Sequence, residues 1–304
     1  MHDRSLFLRQ QDGGFAPIDV IAEIAPAFEH ACGLPQCDWR TKFRSPLIQT
    51  LRPHLGDQRR FAVALNALAR EEACRGRFAE AVGLVDALLL HSAFLGSDPG
   101  LLPLLVEISA EQLALETLRG LAPDVGRMDQ PTRGRLRQLT RRLADESDLF
   151  HRARAAMHYE RAFFFDVVVT DPSQLRRELG PMSLLGESAL LSPLRKFDAI
   201  FAMACFEQCS AALQAPTREA ALQLAPRYPF RGWSALPQLY SAVLLPNFDI
   251  AIARHHDRLA LRRRVSREIA AQVFEADHGR PLSTIEELVP DYLSQLNPEP
   301  SGGW

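Results

Sequence analysis

Along most of this chain apolar side chains return every three or four residues, while the alternating Val, Ile and Thr runs that make half-buried strands are nearly missing. A chain patterned in this way buries its apolar stripes by laying helix on helix. The predicted fold class is therefore all-α, an irregular multi-helix array with little or no sheet. With 47% hydrophobic residues over 304 positions, there is apolar material for one large core or two modest ones. We read a single helical domain over 1–304, subdivided into an N-terminal hairpin region (1–125), a central bundle (126–278) and a C-terminal capping segment (279–304).

Short helices are expected over 17–31 and 47–55, with Gly33, Pro35 and Asp38 opening a loop between them. Asp57 suits the cap of the next helix, which ends at Gly76, a residue fit for a left-handed turn. Residues 77–95 follow at once, with Phe78, Ala81, Val82, Val85, Leu88 and Leu89 on one side, so the two helices form an antiparallel hairpin in which Ala81 meets Ala69. The pair is similar to a single tetratricopeptide unit, except that Glu72 stands at the usual tyrosine position and no second copy follows.

Asp98-Pro99 reads as a cap and first helical residue, opening a helix to 121. A linker over 123–131 precedes helices over 133–144 and 148–170, with Val167-Val168-Val169 as an alternative short strand. An irregular crossing over 171–192, with a helical turn at 173–179, leads to a helix over 194–215 that is apolar on most sides and so expected to be central. A short helix over 217–224 comes next. Residues 239–274 read as helix kinked or broken at Pro246, with Gly279 as its stop. Ser283 and Glu286 fit a capping box, and the tail from 297 is expected to fray.

Several segments together carry a resemblance: Pro53-His54-Leu55, Gly76-Arg77-Phe78-Ala79-Glu80-Ala81, the helix after Asp98-Pro99, Glu160-Arg161-Ala162 and Leu245-Pro246. The most specific part is His278-Gly279-Arg280-Pro281-Leu282 with Ile285-Glu286-Glu287-Leu288-Val289-Pro290-Asp291-Tyr292-Leu293. In these features the chain resembles a family of uncharacterised bacterial helical proteins, of planctomycete type, whose C-terminal motif is pseudopilin-like. Members of that family look membrane-anchored through a helix upstream of the matching region, so the resemblance implies a cell-envelope location if such an anchor has been lost or removed. It implies no substrate.

Acidic and basic residues nearly cancel, 37 against 35, and only Lys42 and Lys196 are lysines, so no nucleic-acid partner is expected. No run of about 18 apolar residues is evident, since 84–95 is interrupted by Asp86 and His91, and the first ten residues lack the core of a signal peptide. The residues alone therefore point to the cytoplasm, with no membrane span. Five sparse cysteines, at 32, 37, 74, 205 and 209, read as mostly buried thiols rather than a disulfide framework.

Among candidate sites, His30, Cys32 and Cys37 offer zinc-type donors at a spacing that matches no zinc motif. Cys205 and Cys209 share a helix face and read as core. Glu275 and His278 reproduce one half of a di-iron Glu-x-x-His pair without its counterpart. His151, His158, Glu160, Arg161 and Asp166 lie along one helix, and His158, Glu160 and Arg161 are the candidates for a binding site inside the fold. The basic cluster Arg254, His255, His256, Arg258, Arg262, Arg263 and Arg264, diluted by Asp257 and Glu268, reads as a solvated helix face. No Gly-x-Ser-x-Gly and no phosphate-binding glycine loop is present, so no catalytic residues and no cofactor are assigned. The expected function is that of a helical interaction or scaffold protein with a polypeptide partner; the alternative is an enzyme or small-ligand binder using the His158, Glu160 and Arg161 helix.

Overall fold

The computed structural model describes residues 54–166, 168, 192–226, 241 and 245–297; the helices expected over 17–31 and 173–179 lie outside them. Among the described residues there are eight α-helices, two 3-10 turns and no strand. The helices are α1 (His54–Cys74), α2 (Phe78–Leu95), α3 (Leu101–Leu121), α4 (Gln130–Ala144), α5 (Ser147–Phe165), α6 (Ser192–Leu213), α7 (Arg218–Leu224) and α8 (Phe248–His278). The all-α reading holds.

The turn between α1 and α2 follows from its residues. Gly76 has φ 75°, the left-handed region that glycine enters without penalty. Its N–H reaches the Ala73 carbonyl at 3.0 Å, and the Arg77 N–H reaches the Glu72 carbonyl at 3.0 Å, the paired bonds of a Schellman stop. Glu72, at the tetratricopeptide tyrosine position, is itself buried and takes the Arg77 guanidinium, with Arg77 Nη2 donating to Glu72 Oε1 at 2.5 Å. The substituted residue thus pins the turn by charge.

Ala69 and Ala81 are both fully buried in the hairpin, whereas Ala79 is exposed. Ala81→Leu should overpack the hairpin and cost about 1 to 3 kcal/mol, while Ala79→Leu should cost under about 0.5. Chemical denaturation of the two variants checks this; equal midpoints would remove Ala81 from the packing.

Several boundaries differ from expectation, each for a local reason. α1 begins at His54, so Asp57 sits inside its first turn rather than capping it. α3 begins at Leu101 after Gly100, and Asp98 is instead buried beside His54, Oδ2 to Nε2 3.3 Å. The expected linker holds a 3-10 turn, Ala122–Arg127, and α4 starts earlier than expected because Asp129 caps it, accepting from the Thr132 N–H at 3.0 Å. At Pro246 the helix is broken, as one of the two expected outcomes had it, and α8 starts beyond it; Asn247 is its cap and Gly279, at φ 66°, its stop. The capping box falls one residue later than expected, at Thr284 and Glu287. Asp166 and Val168 continue in a widened helical turn rather than a strand.

α2 is 18 residues long with a mean hydropathy of 1.6, long and apolar enough by that measure to cross a membrane, which the interruptions at Asp86 and His91 had argued against. In this fold it is a core helix packed on α1 and α3. α6, expected to be central, is buried on one side through Ala202, Cys205, Phe206 and Cys209 but leaves Phe197 and Ile200 about two-thirds exposed.

Two apolar cores result among the described residues. One gathers α1, α2, the second half of α3, α4 and the second half of α8 around Leu65, Leu88, Leu115, Leu136 and Ile269. The other gathers the first half of α3, α5, α6, α7 and the first half of α8 around Leu104, Met157, Phe164, Phe206 and Phe248. The cores do not follow chain order, because α3 and α8 run through both.

Candidate functional site

Where α3 and α8 pass from one core to the other, their inward side chains change from apolar to charged. Glu107 and Glu111, one turn apart on α3, are fully buried and face Arg258 and Arg262, one turn apart on α8. Arg258 Nη2 donates to Glu107 Oε1 at 2.6 Å and its Nε to Glu111 Oε2 at 2.5 Å. Arg262 Nη1 donates to Glu111 Oε1 at 2.6 Å. Arg152 of α5 adds an ion pair to Glu107 Oε1 at 3.0 Å.

The layer extends to the end of α4. Arg262 donates to the carbonyls of Leu143 at 2.6 Å and of Arg142 and Asp145 at 3.0 Å, groups that a helix C-terminus leaves without partners. Arg263 grips Glu146 with two bonds of 2.7 Å. The expectation of a solvated basic face on α8 is therefore corrected for His255, His256, Arg258 and Arg262, all buried. The missed signal was present in α3: glutamates four apart on the same stripe as Leu104, Ile108, Leu115 and Leu118.

Burial alone would raise the Glu111 carboxyl, but the Arg258 and Arg262 guanidiniums outweigh it and hold it down at about 2. Burial would likewise lower Arg258, yet Glu107 and Glu111 raise it above its ordinary value. Glu111 and Arg258 therefore stay charged at any ordinary pH and bind each other as an ion pair. His255, fully buried against Phe150, His256, Arg258 and Glu111, is pushed down to about 3 by burial first and by Arg258 second. His91 is pushed down to about 4 by burial, partly offset by the Gln58 carbonyl.

These depressed imidazoles make stability pH-dependent. Between a pH of about 6.5 and those lower values the unfolded chain binds a proton that the fold refuses, so stability falls as pH falls through that window. By about pH 5 the expected loss is roughly 2 kcal/mol for each histidine. His255→Phe should remove its own share of that loss and leave a shallower fall in melting temperature, followed by circular dichroism from pH 8 to 5. An unchanged slope would exclude His255 as a contributor.

The candidates His158, Glu160 and Arg161 do not converge. His158 and Arg161 are exposed, as is His151, while Glu160 Oε1 accepts the Leu101 N–H at 2.7 Å. Glu160 thereby supplies a negative charge to the start of α3, a helix end without a capping side chain of its own. The expected polar cluster inside the fold is thus corrected: this part of α5 presents two side chains to solvent and spends the third on a helix terminus.

Among the described residues no three His, Cys, Asp or Glu side chains gather as a metal site, and His30, Cys32 and Cys37 lie outside those residues. Cys74 is exposed, against the buried reading. Cys205 and Cys209 are core, as read, with burial pushing their thiols up to about 11 and about 12. His278 is exposed, stacked on Phe274 and bonded to Tyr292.

Two grooves lined by described residues open on the hairpin side. One, of about 340 Å³, runs between α2 and α4 over Val82, Gly83, Ala87, Leu90 and Leu139, with Asp86, Arg135, Gln138 and Arg142 along it. The other, of about 260 Å³, runs between α1 and α3 over Ala62, Val63, Ala110 and Leu113, with Arg59 and Glu116 at its edges.

No known protein family, curated protein or solved structure matches the chain.

Proposed function

We propose that the protein is a helical interaction or scaffold protein that binds another polypeptide through its hairpin side. The observation that carries this reading is the pair of grooves between neighbouring helices, the α1–α3 groove with the exposed Val63 on its floor and the α2–α4 groove lined mainly by Asp86, Arg135, Gln138 and Arg142. Such a surface accepts side chains of a second chain as an interhelical groove accepts ridges, with no reacting group required. The buried charges support the reading in another way: they fix α3, α4 and α8 in register, and so give one wall of each groove a fixed place.

Photo-crosslinking residues placed at Gln138, beside one groove, and at Gln112, beside the other, test the proposal in cells that make the protein. The expected result is a discrete adduct containing a second polypeptide at one position or both. Absence of any polypeptide adduct at either position, with both variants folded by circular dichroism, would overturn it.

A further inference from the structure

We infer that α6 pairs through its outward face with α6 of a second copy of this chain, the two helices running antiparallel about a two-fold axis. Phe197 and Ile200 on that face are 69% and 67% exposed, more than any other large apolar side chain among the described residues. Ala204, one turn beyond Ile200 on the same face, is exposed as well. The exposed positions from 197 to 204 are all apolar, and the half-buried Phe201 and Met203 flank them. Contiguous apolar surface of this kind marks a place that another surface covers.

Charge and size say which surface. Lys196 stands at the N-terminal end of the stripe and Glu207 just beyond its C-terminal end, both exposed on the same side of the helix, and neither has an ion-pair partner among the described residues. A face with a cation at one end and an anion at the other is its own complement when a second copy is turned end for end. Rotation about a point between Ile200 and Ala204 lays Lys196 beside Glu207 of the second copy and each Ile200 over the small Ala204 opposite, and the symmetry makes every such contact twice. A parallel pairing would set Lys196 against Lys196 and Glu207 against Glu207. From Lys196 to Glu207 the face runs about 16 Å, roughly three helical turns, so the contact belongs at the small end of protein interfaces and the dimer should be a weak one. None of these residues lines either groove on the hairpin side, so this surface is separate from the one proposed above for another polypeptide.

Sedimentation velocity on the full chain over a concentration series tests the inference. The 34.0 kDa chain should convert to a species of twice that mass, with a midpoint on the order of tens of micromolar. Ile200→Glu should raise that midpoint at least about ten-fold, and Lys196→Glu and Glu207→Lys should each do the same. An equal mixture of the two charge variants should associate as readily as the unaltered chain, because each then meets its opposite, and so should the chain carrying both changes. All three positions are exposed, so the circular dichroism spectra should stay unchanged. A single species of 34.0 kDa at every concentration, a dimer insensitive to Ile200→Glu, or charge variants that fail to rescue each other would overturn the inference while leaving the hairpin-side reading in place.

Discussion

Glu111→Ala should destabilise the protein by about 3 to 5 kcal/mol in urea unfolding, because it takes a buried carboxylate from two buried guanidiniums at once. Arg262 would keep its bonds to the α4 carbonyls, but Arg258 would retain only Glu107, which it shares with Arg152. Adding Arg258→Met to Glu111→Ala should recover part of the loss, since one under-paired buried charge disappears and Glu107 keeps Arg152 as its partner. A simple packing role predicts the reverse, with the second change adding its own cost. A single-variant loss below about 1 kcal/mol would mean that water reaches the layer and solvates whatever is left unpaired.

Gly96→Ala should be the second most damaging change, at about 2 to 4 kcal/mol, although it adds one methyl group. A Cβ at position 96 would stand 1.9 Å from Glu107 Oε2 and 2.3 Å from its Cδ. A carboxylate at the end of a free side chain would swing aside, but Glu107 is held by Arg258 and Arg152, so relief means breaking the layer. Gly134→Ala, within α4 and with nothing within 4 Å of its added carbon, is the matched control and should stabilise by up to about 1 kcal/mol. Similar melting temperatures for the two alanine variants would show that Glu107 is mobile.

Helix stops were legible in the sequence because Gly76 and Gly279 carry their own conformational reason. Helix starts were harder to place, since α3 borrows its cap from Glu160, 59 residues away, and no local pattern announces a partner at that distance. The same limit hid the charged layer. Read alone, the arginines of α8 look like a surface stripe; read with Glu107 and Glu111, the two i, i+4 pairs sit on apolar stripes and require each other. The grooves depended on which helices become neighbours, and periodicity within a helix is silent about that.

The bonds that finish the end of α4 have a consequence for the order in which the protein is made. The carbonyls of Leu143 and Ala144 receive Arg262, Gln295 and Asn297, which lie 119 to 153 residues further along the chain. A ribosome adds about 5 to 20 residues per second, so α4 emerges on the order of ten seconds before the groups that complete it. During that interval its last turn has only water to satisfy it. Nascent chains arrested before residue 262 should therefore show α1 and α2 protected against protease while α4 is still cut.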